Sequence, residues 1–168
     1  LGLLRGLQGE LMTRYGNTFE GWKLIEQGRA QLASEANHPW FALLNVISTY
    51  IGIGLSIKVR QERLEESLRI YRALSDSWGI SLVQQVLGEI LITIGDFDAA
   101  ERLLNHSLAI RNSTDDYWGA AMTLHALGMN SAGQQKNSEV LTHFKESIAT
   151  RESIGDIRGI AIARTFLA

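Results

Sequence analysis

Residues 87–119 read LGEILITIGDFDAAERLLNHSLAIRNSTDDYWG, and the same pattern recurs about forty residues before and after this stretch. A shift of forty residues needs no gap between the copies. It aligns small, apolar and acidic positions in one register: Ser67, Ser107 and Ser147; Leu68, Leu108 and Ile148; Gly88 and Gly128; Asp116 and Asp156; Gly79, Gly119 and Gly159. Self-similarity at a fixed period of this length indicates a repeat protein.

Apolar residues within each copy follow helical spacing, and turn signals separate the runs. We expect nine helices, beginning near residues 1, 19, 37, 59, 77, 96, 116, 137 and 157. Gly95-Asp96 and Gly155-Asp156 mark turns, and Asn37, Asp76 and Asp116 are predicted helix caps. The first helix carries its apolar residues, Leu3, Leu4, Leu7 and Leu11, at helical spacing. No segment shows the alternation of a strand, so the fold class is all-α.

The residues Leu87-Gly88, Gly95-Asp96, Ala100, Leu104, Ser107, Leu108, Asp116 and Gly119 form a pattern that resembles a tetratricopeptide repeat of the forty-residue variety. The resemblance implies an α-solenoid of antiparallel helix pairs, A and B, wound in a right-handed superhelix. We expect one domain over residues 1–168, with about four repeats and one trailing helix. The repeats are 1–36, 37–76, 77–116 and 117–156, and residues 157–168 are a partial repeat.

Composition and motifs argue against several kinds of activity. The 16 basic and 18 acidic residues leave no excess positive charge for nucleic acid, and the chain has no Cys. The four His form no metal-ligand spacing, and no catalytic motif is present. The longest apolar run, 46–57, is too short and too polar to span a membrane. We therefore expect a cytoplasmic protein that is not an enzyme, with no cofactor, no metal, and no direct contact with nucleic acid or membrane.

One position of the A helices carries a ladder of polar side chains, and a second position lies one turn further along. The resemblance implies that both face the concave groove and contact a bound partner. The predicted contacts are Asn45, Thr49, Gln85, Glu89, His125 and Met129. Side-chain amides can hydrogen-bond an extended backbone. The alternative is that these residues are simply solvated.

Three tryptophans, Trp40, Trp78 and Trp118, lie near the starts of successive A helices. An exposed Trp is a candidate interaction hot spot. The alternative, which we favour, is that each packs on the end of the preceding B helix.

The sequence therefore favours a scaffold that binds a protein or peptide. Similar forty-residue repeats are attached to large bacterial signalling ATPases and transcription regulators, which implies a sensor or assembly arm. A small-ligand sensor and a purely structural spacer stay open. The Leu-rich start and the apolar last segment, IAIARTFLA, lack the polar outer face of a capping repeat. We expect a piece of a longer protein, or self-association through these ends.

Overall fold

The computed structural model describes residues 1–35 and 37–166, and within them the chain is helical with no strand. The helices are α1 (Gly2–Arg14), α2 (Thr18–Leu32), α3 (Pro39–Ile51), α4 (Ile57–Ala73), α5 (Ser77–Thr93), α6 (Phe97–Ser113), α7 (Tyr117–Gly133), α8 (Asn137–Ser153) and α9 (Ile157–Arg164), with a short 3₁₀ turn at Ala33–Glu35. The predicted all-α class and the paired helices are confirmed. The expected end of the first repeat, Ala36, and the last two residues of the predicted ninth helix lie outside the described residues.

Aspartates begin the A helices of the later repeats, as predicted. The carboxylates of Asp76, Asp116 and Asp156 each accept a hydrogen bond, 2.9 Å long, from the N–H of the glycine three residues on. Each bond satisfies a backbone donor that the first turn of a helix leaves open. Asp96 caps the B helix α6 in the same way, through the Ala99 N–H at 3.2 Å.

The predicted cap at Asn37 is wrong, because the neighbouring His38 occupies the N-cap position of α3. The His38 Nδ1 accepts a hydrogen bond from the Trp40 N–H at 3.3 Å. The Asn37 side chain instead accepts a hydrogen bond from Arg69.

The chain divides into two compact units, residues 1–79 and 80–168. In the first unit, α1 packs on α2 through glycines. A Cβ at Gly9 would lie 2.4 Å from the Gly21 carbonyl oxygen, and a Cβ at Gly28 would lie 2.4 Å from the Gly2 carbonyl oxygen. The two backbones therefore touch directly, as only glycine allows.

This packing turns the leucines of α1 away from α2. Its buried residues are Gly2, Gly6 and Gly9, whereas Leu4 and Leu11 are 68% and 56% exposed. Leucine side chains between the helices would hold the backbones apart, so the closer glycine contact turns the leucines outward.

In the second unit, each A helix contacts the following B helix through a glycine and a large side chain. A Cβ at Gly88 would lie 2.8 Å from Leu104, and one at Gly128 would lie 2.9 Å from the Phe144 ring. The large side chains fill the space that the glycines leave.

One serine of each of the B helices α4, α6 and α8 forms the same hydrogen bond. The hydroxyl groups of Ser67, Ser107 and Ser147 donate to the carbonyl oxygens of Ala42, Ser81 and Ala121, at 3.0, 2.8 and 2.7 Å. A small side chain lets the helices approach, and its hydroxyl uses the partner's backbone acceptor. The forty-residue register seen in the sequence is therefore also a register of contacts.

Candidate functional site

The middle of helix α7, residues 118–131, is buried except along one narrow strip. Between residues 118 and 131, four side chains keep some exposure, namely Trp118, Met122, His125 and Met129. Their spacing of four, three and four residues puts them on one face of the helix. We call these four residues the α7 strip.

Three of the six predicted contact residues are buried. Asn45 and Thr49 are 0% exposed and Gln85 is 1% exposed. The Asn45 amide donates to Glu66 at 3.1 Å, and the Gln85 amide donates to Glu89 at 2.7 Å. These three side chains present no surface to a partner here, whereas Glu89, His125 and Met129 are partly exposed. Burial of the ladder was not visible in the sequence, because polar residues are usually found outside.

The buried ladder residues retain unused polar atoms. In the first unit these are Asn45 Oδ1 and Thr49 Oγ1, and in the second unit they include Gln85 Oε1 and His125 Nδ1. Most buried polar atoms in proteins have a partner. Buried polar atoms without a hydrogen-bond partner, on the ladder of the A helices, fit a site that holds water or a ligand.

His125 lies in an aromatic cluster. Its ring centroid is 5.1 Å from that of Phe144 and 4.9 Å from that of Phe166, in both cases edge to face. The two phenylalanine rings stack 5.3 Å apart. Burial, and secondly the positive charge of Arg151, lower the pKa of the His125 imidazole. The neutral ring is therefore the form that fits this site.

Two buried arginines of the B helices, Arg111 and Arg151, hold the starts of the following A helices. Arg111 donates to the Gly119 carbonyl oxygen, and its Nε lies 3.8 Å from the Asp116 carboxylate. Arg151 donates to the Asp156 carboxylate at 2.5 Å. Burial lowers the pKa of the Arg111 guanidinium, while Asp116 and Glu89 oppose that change.

The sequence analysis assigned no role to these arginines. The available signal was the repetition of Arg and Asp, five residues apart, at the forty-residue period. A charged residue repeated at a core register is unusual unless it is paired. The Arg111–Asp116 pair fixes the turn that leads into α7 and thereby positions the strip, while the Arg151–Asp156 pair holds the turn into α9.

Each of the three tryptophans keeps about half of its surface exposed: 44% for Trp40, 50% for Trp78 and 53% for Trp118. Trp118 begins the α7 strip. We expected each indole to pack on the end of the preceding B helix. About half of each indole nevertheless stays exposed, so the packing is only partial.

Within residues 1–35 and 37–166, no three His, Cys, Asp or Glu side chains come together as metal ligands. His106 and His143 contact Gln84 and Ser131 at 2.8 and 3.2 Å. None of the helices described has the length and apolar character needed to cross a bilayer.

An open depression of about 370 Å³ lies where α6, α7 and α8 meet. It is lined by Leu108, Asn112, Tyr117, Ala120, Leu124, Glu146, Ala149 and Thr150. This lining carries little charge, which does not favour a site for a charged metabolite.

The second unit also carries the likeness to known proteins. Residues 79–153 match the family model described as tetratricopeptide repeat. The curated proteins include no significant match to this chain.

Proposed function

We propose that the second unit binds a peptide segment of another protein along the α7 strip. Residues 79–153 match the tetratricopeptide repeat family, whose members generally mediate protein–protein interactions. The observation that carries this proposal is the exposure pattern of residues 118–131 of α7, where only the side chains of the strip keep some exposure.

The chemistry of the strip favours a partner with apolar side chains. Met122 and Met129 are flexible and adapt to irregular apolar surfaces, and Trp118 supplies a large, rigid contact area. Glu89 on α5 occupies the position equivalent to Met129, one repeat earlier. An acidic group at this position of the preceding repeat favours a basic residue in a partner that runs along both repeats.

The buried ladder supports the exposed residues from beneath. The Gln85 amide donates to the Glu89 carboxylate and thereby orients it. We propose that Glu89, His125 and Met129 contact the partner directly, while Gln85 positions Glu89. Asn45 and Thr49 have no exposed surface for this role.

The experiment compares the wild-type chain with the double variant Trp118→Ser and Met129→Ser. Proteins captured from the source-cell lysate are identified by mass spectrometry, and peptides of each are then titrated by fluorescence anisotropy. We expect the double variant to bind about tenfold more weakly or worse, since exposed Trp and its neighbours dominate such contacts.

The matched control is Leu141→Ser with Lys145→Ala, two exposed changes on α8 away from the strip. It should bind like wild type, and circular dichroism should show that all three chains fold. Equal affinity of both variants would exclude the α7 strip. Absence of any captured protein would favour a spacer or a metabolite sensor.

The same capture experiment tests a broader proposal. By resemblance, we propose that the repeats serve as the assembly arm of a larger cytoplasmic regulator and that residues 1–168 act as one array. The same serine hydrogen bond recurs within both units, which supports a common repeat architecture for them. Signalling or transcription proteins among the partners would favour the regulator role, and their absence would oppose it.

We also propose that the chain self-associates through the exposed leucines of α1. Leu4 and Leu11 expose most of their surface on the side away from α2, and contiguous apolar surface favours association. Sedimentation equilibrium should show a concentration-dependent dimer that Leu4→Ser with Leu11→Ser abolishes. A wild-type chain that stays monomeric at all concentrations would contradict this.

A further inference from the structure

Helix α9 buries few of its side chains. Of its eight residues, Gly159 and Ala163 are buried, whereas Ile157 is 81% exposed. Its Arg164 pairs with Glu152 of α8 at 3.2 Å, but both side chains are more than half exposed. Exposed pairs contribute little, and an element with few buried contacts opens at low cost.

The Arg151–Asp156 pair holds the start of this segment, and the aromatic contact of Phe166, which keeps 44% of its surface exposed, holds its end. Phe166 follows α9 directly, and its ring meets both His125 and Phe144 at about 5 Å between centroids. Aromatic pairs of this kind contribute beyond simple area burial. His125 is thus the part of α7 on which the α9 segment rests.

The surroundings of His125 do not favour a positive charge. Arg151 of α8 is the charged group that acts on it, and His125 Nδ1 is buried without an acceptor. The carboxylate of Asp156, at the start of α9, is engaged by Arg151. The carboxylate of Glu89 on α5 accepts from Gln85.

We propose that α9 and Phe166 form a cover that closes on neutral His125 and is released when this imidazole is protonated. Protonation gives the His125 ring a positive charge close to that of Arg151. It also makes the buried Nδ1 of His125 a donor that has no acceptor. Release of the cover lets water hydrate the charged imidazole and accept its hydrogen bond, so the unfavourable burial of the charge is removed.

The cover would regulate the α7 strip, and this link rests on the proposed function above. Opening exposes the rest of His125 and part of Phe144, beside Met122 and Met129. The strip would then offer a larger apolar surface and a cationic group in acid. A partner that places apolar side chains against the uncovered Phe144 ring would bind the open form better.

The sign of the pH dependence follows from the lowered pKa of His125. In the open state the imidazole has its ordinary pKa, and in the closed state its pKa is lower. Closing is therefore fully favoured above the ordinary pKa and loses free energy as the pH falls through it.

Hydrogen bonding by Gly159 N–H and the charge of Arg151 hold the pKa of Asp156 below its usual range, despite its partial burial. Asp156 thus stays charged and cannot cause a change near neutral pH.

The test is amide hydrogen exchange of the whole chain, read by mass spectrometry at about pH 7.5 and about pH 5 and corrected for intrinsic rates. We expect protection of residues 157–166 to fall at least about threefold at the lower pH, while α6 and α7 change less. Unchanged protection of residues 157–166 would overturn the proposal.

Two variants identify the titrating group. His125→Phe keeps a ring but cannot be protonated, so its α9 segment should lose the pH response. His106→Phe, at an exposed position of α6, should keep the wild-type response. A pH response that survives in His125→Phe would refute the role of His125.

If His125→Phe does not fold, an NMR titration of the wild-type chain replaces it. The His125 and Phe166 ring resonances should then shift with one common midpoint, and separate midpoints would contradict the proposal. These experiments use no partner, so their failure would leave the binding test of the α7 strip unaffected.

Discussion

Gly9→Val is expected to detach α1 from α2. A Cβ at this position would lie 2.4 Å from the Gly21 carbonyl oxygen and 2.9 Å from the Ile25 nitrogen. These are backbone atoms of another helix, so no side-chain rotation relieves the overlap. We expect the free energy of unfolding to fall by about 3 kcal/mol and amide protection to be lost across residues 2–14. Urea unfolding and hydrogen exchange measure the two effects.

Leu4→Ala is the matched control on the same helix. Leu4 is 68% exposed, so its truncation should change the free energy of unfolding by less than about 0.5 kcal/mol. The ranking of the two variants tests the orientation of α1. A large loss for Leu4→Ala with a small loss for Gly9→Val would show that the leucines, not the glycines, face the core.

Arg111→Ala is expected to destabilise the second unit by about 3 kcal/mol. The Arg111 residue is 2% exposed, and its side chain donates to the Gly119 carbonyl oxygen and, at 3.4 Å, to the Ser81 hydroxyl. Truncation leaves a cavity and removes the cation beside Asp116. Arg111→Lys should not restore stability, because a single ammonium cannot make the several directed bonds of a guanidinium.

Arg102→Ala supplies the comparison, since Arg102 is an exposed residue of the same helix. Its free energy of unfolding should match wild type within about 0.5 kcal/mol. Thermal and urea unfolding followed by circular dichroism measure both variants. If Arg111→Ala were as stable as Arg102→Ala, the arginine would not hold the turn into α7, and the positioning of the strip would need another explanation.

The order of helices was predictable from local signals. Asp76, Asp116 and Asp156 mark helix starts because a short carboxylate satisfies the open N–H groups of a first turn. The predicted cap at Asn37 failed because the adjacent His38 side chain accepts the first-turn hydrogen bond instead. The forty-residue register identified Ser107 and Gly128 as contact positions, since small residues recur wherever helices approach closely.

The candidate site was only partly predictable. The ladder position was found from its register, but its depth depends on how neighbouring helices cover it. Gln85 is sealed, whereas His125 at the equivalent place keeps some exposure. Phe166, which covers His125, follows it by about one full repeat, and no local pattern connects the two residues.

The sequence by itself determined the all-α class, the helix pairs and their forty-residue register, because these depend on local propensity, capping and the period of small and apolar residues. Only the tertiary structure decided that α1 packs by its glycines, that the ladder residues Asn45 and Gln85 are buried, and that α7 leaves a single accessible strip. The physical reason is that exposure and helix orientation depend on the shape of the packed neighbours, which the spacing along one helix does not contain.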